Sequence, residues 1–157
     1  MRITSLLLVC AFAATLGCSG TAVPAAANLS GTWDFSYVTA SDAGVTCHGS
    51  MTFTIAQTDQ TFVGFQRNAG SLVCDGVALN LPNPNPSNSA EFTGEMITSG
   101  VVSPTEVAFR LNTLQSQDAG KVQDAGLMTG RSSWILPVKP KGTITVNGTW
   151  TAFKQNP

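Results

Sequence analysis

Between positions 45 and 57 the chain alternates residue by residue. Val45, Cys47, Gly49, Met51, Phe53 and Ile55 take one set of positions; Thr46, His48, Ser50, Thr52 and Thr54 take the other. A period of two is the mark of a β-strand with one buried face, because successive side chains point to opposite sides. The same rhythm puts Trp33, Phe35 and Tyr37 against Thr32, Asp34 and Ser36. No segment after position 28 holds helical spacing, and the abundance of threonine, glycine and turn residues favours strands. Further strands are expected over 61–66, 71–79, 91–98, 106–112, 126–136 and 142–153. The Asn/Pro-rich stretch 80–90 and the Gln/Asp-rich stretch 113–124 read as loops. Gln117-Asp118-Ala119-Gly120 and Gln123-Asp124-Ala125-Gly126 form a small duplicated turn sequence.

About eight short strands joined by turns define an all-β domain. The expected architecture is a single antiparallel up-and-down β-barrel, with a β-sandwich as the alternative. Closing the sheet on itself removes exposed edges. The interior glycines Gly49, Gly64, Gly94, Gly130 and Gly148 suit the sharp bending that a small barrel demands.

Charge narrows the function. Only 11% of the 157 residues are charged, with Lys+Arg 8 against Asp+Glu 9. A near-neutral chain lacks the sign bias of a nucleic-acid binder or an acidic tail. His48 is the only histidine, so few groups are available for acid–base chemistry. On the polar face of its strand it reads as a solvated surface residue. Glu91 and Glu95, four apart on one expected strand, would lie ~13 Å from each other. That separation is too long for a glycosidase pair, and both read as exposed edge charges. Asp118 and Asp124 lack calcium-loop spacing, and Cys47, His48 and Cys74 lack paired zinc-ligand spacing. No catalytic constellation, metal or cofactor is expected.

The N-terminus is a targeting segment. Met1-Arg2 precedes an apolar run over 3–16, roughly 21 Å long as a helix and short of the ~30 Å hydrocarbon core. It ends Ala14-Thr15-Leu16-Gly17-Cys18, which resembles the lipobox of bacterial lipoprotein signals. Thr15 stands where that pattern usually has leucine, and Leu16 comes one later. The resemblance implies lipidation of Cys18 after removal of residues 1–17, with 18–28 as a flexible tether and 29–157 as the barrel domain. Ser19, rather than aspartate, follows the cysteine. In Gram-negative lipoproteins that resembles the outer-membrane sorting default, so the expected location is the cell envelope. With Cys10 in the discarded segment and Cys18 taken by lipid, Cys47 and Cys74 remain as a disulfide pair in an oxidising compartment.

Leu29-Ser30-Gly31-Thr32-Trp33 opens the first strand, and Gly148-Thr149-Trp150 repeats its core in the last. Gly-x-Trp resembles the signature of lipocalin-like and avidin-like barrels. Together with the stretches 47–57 and 61–64, it also resembles bacterial envelope lipoproteins of this size. The resemblance implies that Gly31 and Trp33, and by repetition Gly148 and Trp150, are structural, with Trp33 packed at a closed barrel end.

Two binding roles follow, neither of them enzymatic. In the first, aromatics such as Phe53, Phe65, Phe109 and Trp134 line an apolar calyx for a small apolar ligand. In the second, the loops 80–90 and 113–124 engage another protein of the envelope. One form of the second resembles bacterial protease-inhibitor barrels, which also combine Gly-x-Trp with one disulfide. The expected partners are therefore the membrane, through the Cys18 lipid, and a small apolar ligand or an envelope protein.

Overall fold

The structure, a computed structural model, describes residues 24–81 and 89–155. Cys18, the targeting segment and most of the Asn/Pro-rich loop lie outside the described residues. Ten strands form: β1 (Gly31–Ala40), β2 (Thr46–Thr58), β3 (Thr61–Gln66), β4 (Gly70–Asp75), β5 (Ser89–Phe92), β6 (Met96–Val102), β7 (Glu106–Leu111), β8 (Gln117–Asp124), β9 (Leu127–Pro137) and β10 (Thr143–Lys154). The described residues contain no helix.

All strand pairs are antiparallel. The order β1-β10-β9-β8-β7-β6-β3-β2 closes through a β1–β2 pairing, giving an eight-stranded barrel rather than a sandwich. The up-and-down order is interrupted once, because β3 pairs with β6 and not with β4. The long strand β2 explains the exception. Its second half pairs with β3 from Phe53 onward, while its first half, Thr46 to Ser50, pairs with β4. Strands β4 and β5 thus form a two-stranded flap outside the ring.

Three expected elements differ. The expected strand 91–98 is two strands, β5 and β6, separated by a turn in which Gly94 has φ 78°, a conformation that favours glycine. The expected strand 71–79 ends at Asp75, where Gly76 turns the chain with φ 86°. The expected loop 113–124 is largely strand β8, whose residues pair with β7 and β9.

The two ends of the barrel differ. At the proximal end the incoming chain crosses the turns β2–β3 and β6–β7. Ala27 donates its amide to the Ser103 carbonyl at 3.2 Å. Gln57 Nε2 donates to the Ala27 carbonyl at 2.9 Å, and Gln57 Oε1 accepts from the Leu29 amide at 2.6 Å. Trp33, fully buried, donates its indole N–H to the Leu29 carbonyl at 2.7 Å, while the Lys154 ammonium lies 5.7 Å from its ring centre. Trp33 therefore closes this end. The distal end carries the β1–β2, β7–β8 and β9–β10 connections and the β4–β5 flap.

Cys47 and Cys74 stand directly opposite each other on β2 and β4, are fully buried and form a disulfide. The expected pairing is thus present, and it fastens the flap to the barrel.

Candidate functional site: the barrel interior and its distal end

The barrel interior is filled by aromatic rings that touch one another. Phe35 sits at the centre. Its ring lies 5.6 Å from Phe53 and 5.7 Å from both Phe109 and Trp150. Phe109 meets Trp150 at 5.4 Å and Phe62 at 6.2 Å, and Tyr37 meets Trp134 at 5.0 Å. All of these fall within the 4.5–7 Å range of productive ring contacts.

Phe53, Phe109 and Trp134, singled out from the sequence as calyx-lining residues, therefore do point inward. Phe65 does not. It is 52% exposed because the alternation of β3 sends Phe62 and Gly64 inward and Val63 and Phe65 outward. Its cross-strand neighbour is Met96 on β6, also on the outer surface.

The last tryptophan has a glycine seat. Trp150 faces Gly130 across β10–β9, and Gly130 faces Gly120 across β9–β8. A β-carbon on either glycine would run into the Trp150 Cζ2 atom, at 2.5 Å from Gly130 and 2.8 Å from Gly120. The indole N–H donates to the Arg131 carbonyl at 3.1 Å. Gly148 has a different reason to lack a side chain: a β-carbon there would strike the β1 backbone at Val38 and Thr39.

The distal interior is polar. Following the register from strand to strand, Thr39 faces Gly148, Gly148 faces Ser132, Ser132 faces Asp118 and Asp118 faces Phe109. Thr39, Ser132 and Asp118 are all buried. Asp118 Oδ2 accepts a short hydrogen bond from the Ser116 hydroxyl, which itself accepts from the Leu111 amide at 2.7 Å. Burial pushes the Asp118 carboxyl up to about 6, against the lowering effect of the Ser116 and Ser132 hydroxyls. The phenol of Tyr37 is raised well above its usual value, first by burial and then by the negative charges of Asp118 and Glu95. Among the described residues, five buried polar atoms lie outside hydrogen-bond geometry with any partner, Tyr37 Oη, Thr39 Oγ1, Asp118 Oδ1, Ser132 Oγ and Trp134 Nε1, although the Ser132 hydroxyl is close enough to Asp118 to favour its charged form.

Glu95 corrects a second sequence expectation. It is buried, not an exposed edge charge, and lies in the β5–β6 turn rather than on a strand with Glu91. Its carboxylate accepts from the Thr113 amide at 2.8 and 3.2 Å and from the Met96 amide at 3.0 Å, tying the β5–β6 and β7–β8 connections together. Glu91 is exposed, as expected, and so is His48 on the outer face of β2.

Outside the barrel, one groove of about 670 Å³ runs across β6 to β10 and another of about 680 Å³ runs from the start of β3 across β6 to β9. Ala108 and Ala119 form the shared floor, and Arg131 borders both. Among the described residues no cluster of three metal-ligating side chains occurs, and no helix is long and apolar enough to cross a membrane.

The fold and interior define a small closed antiparallel β-barrel with an aromatic core, one disulfide and a polar distal chamber. The chain matches no protein-family model and no curated protein.

Proposed function

We propose that this chain is a lipid-anchored bacterial envelope protein, tethered through Cys18, whose lipocalin-like barrel acts as a non-catalytic binding module for another envelope protein. One observation favours protein recognition over carriage of an apolar ligand. The rings that an apolar calyx would offer are spent on one another, with Phe35 in contact with Phe53, Phe109 and Trp150. A ligand of drug-like size needs a concave apolar space of roughly 300 Å³ or more, and interiors packed in this way resist insertion of added groups.

The polarity of the barrel supports the same reading. A tether that reaches the domain at Ala27 and Leu29 meets its proximal end. The β1–β2, β7–β8 and β9–β10 connections then face away from the bilayer, where a partner has access. Loops on a rigid scaffold are the usual carriers of recognition. Two or more acyl chains on Cys18 make the anchor effectively permanent.

The test has two arms. Replacing Cys18 with serine should move the protein out of the membrane fraction and abolish fatty-acid labelling; retention of both would overturn the anchor. In-cell crosslinking from exposed distal positions such as Gln115 and Lys141 should trap a discrete protein adduct that proximal positions such as Asp59 do not. If no such adduct forms and native mass spectrometry instead finds an apolar molecule carried by the protein, ligand carriage replaces partner recognition.

A further inference from the structure

Strands β7, β8 and β9 carry three of the chain's eight lysines and arginines, Arg110, Lys121 and Arg131, all exposed on the outer wall of the barrel. Three carboxylates lie on the same strands. Asp118 is turned into the barrel and buried. Asp124 Oδ1 is taken by the Gly126 amide in the β8–β9 turn, and Glu106 stands opposite Lys121 in register. Arg110 and Arg131 are left over. Among the described residues their carbonyls are hydrogen-bonded and their guanidiniums are not.

Both arginines line the groove of about 670 Å³, beside Gln117, Ser133 and Asn147. The ladder places them. Ala108 faces Ala119 and Ala119 faces Arg131. In the next outward-facing row, Gln117 faces Ser133 and Ser133 faces Asn147. The two alanines leave a low floor between longer side chains. By strand spacing and rise, the Arg110 and Arg131 α-carbons are ~12 Å apart. Ser99 lines the groove from β6, at a bulge where the register slips between Thr98 and Val101. Its φ of 53° is a conformation that costs a residue other than glycine, and such strain and such bulges gather at functional sites.

We propose that this outer groove is a binding site for an acidic saccharide, a sugar chain with carboxylates on neighbouring units. The Arg110 and Arg131 guanidiniums each donate to one carboxylate, in the forked geometry that suits that group. The Gln117 and Asn147 amides and the Ser99 and Ser133 hydroxyls both donate and accept, as sugar hydroxyls do. Among the described residues none of these four side chains has a hydrogen-bond partner. A volume of this size falls in the range of small-ligand sites. An acidic peptide fits less well, because strand addition needs an unpaired sheet edge and β7, β8 and β9 are each paired on both sides. The site lies on the barrel wall, and it is independent of the membrane anchor and of the protein partner proposed for the distal connections.

The probe is a galacturonic acid trimer, titrated into the full-length protein in nonionic detergent at pH 7.5 and followed by calorimetry. Binding should saturate at one trimer per chain. The methyl ester of the same trimer keeps the ring hydroxyls and loses the charges, and should bind at least about tenfold more weakly. Hexaglutamate keeps the charges without the hydroxyls and should be weaker by a similar factor. Arg110→Gln and Arg131→Gln should each lower the affinity by about tenfold, whereas Lys139→Gln, on the β9–β10 connection, should leave it unchanged. Ala119→Phe fills the floor without altering a charge and should abolish binding. Arg110, Ala119 and Arg131 are all exposed, so the variants should fold, and an unfolding temperature matching wild type verifies it. No saturable heat, equal affinity for the methyl ester or for hexaglutamate, or an affinity that survives both arginine variants or Ala119→Phe would each overturn the assignment.

Discussion

The indole of Trp150 rests on Gly130, its direct partner across the β10–β9 pair, so closely that a β-carbon on Gly130 would stand 2.5 Å from Cζ2. The neighbouring backbone is no more accommodating, because the Ala119 carbonyl oxygen lies on the other side of the same position. Gly130→Ala should therefore destabilise the barrel by about 1–3 kcal/mol through overpacking. Gly126→Ala is the matched control. A β-carbon there would meet only Asp124 Oδ1, at an ordinary 3.7 Å, and stability should stay within about 0.5 kcal/mol. Urea unfolding of the two variants checks the difference.

The disulfide offers a second measurement. Cys47 and Cys74 are 27 positions apart, and closing a loop of that size stabilises the folded chain by roughly 3–4 kcal/mol on the chain-entropy account. Replacing both cysteines with serine should lower the unfolding free energy by about that amount. Amide exchange should rise first in β4 and β5, whose strand pairing to the barrel runs through the first half of β2.

Asp118 makes stability depend on pH in an unusual direction for a carboxylate. Its pKa is raised from 3.8 to about 6 on folding, so between those values the folded chain holds the proton more tightly than the unfolded chain. The group's contribution is greatest below pH 3.8, declines as pH rises towards 6 and is lost above it. The difference of about two units corresponds to roughly 3 kcal/mol. Asp118→Asn should flatten this dependence and raise stability at pH 7.5. Unfolding free energies measured from pH 4 to 7.5 in wild type and variant give the comparison, and a wild-type stability that climbs over that interval by this group's contribution would refute it.

Glu95 holds the β7–β8 connection through the Thr113 amide. Removing the carboxylate in Glu95→Ala strands the Thr113 and Met96 amides and should cost about 1–3 kcal/mol. Hydrogen exchange at Thr113 should accelerate markedly, while the Ala27 amide at the opposite end stays protected by the Ser103 carbonyl.

The strands β1, β2 and β10 were legible because each alternates strictly over ten or more residues. Strand β8 was not, since its polar composition mimics a loop. The duplicated tetrapeptide shows why composition misleads. Its first copy, Gln117 to Gly120, is strand, with Asp118 inside the barrel. In its second copy Asp124 Oδ1 accepts from the Gly126 amide at 2.7 Å and helps to build the β8–β9 turn. Position in the ladder decides between them. The buried roles of Glu95 and Asp118 left no mark in the sequence, because a carboxylate carries the same letter whether solvent or a backbone amide satisfies it. Phe65 was different, since its odd spacing from Phe62 already places the two on opposite faces of one strand.

That opposition gives the sharpest mutational contrast. Phe62 is 3% exposed and meets Phe109, whereas Phe65 is 52% exposed. Phe62→Ala should cost about 3–5 kcal/mol, the range for deleting a buried aromatic ring. Phe65→Ser removes apolar surface already in water, and should change stability by no more than about 0.5 kcal/mol. Denaturant unfolding of the pair reads both values on one strand, three residues apart. Comparable losses at the two positions would mean that the outer face of β3 is covered in the native protein.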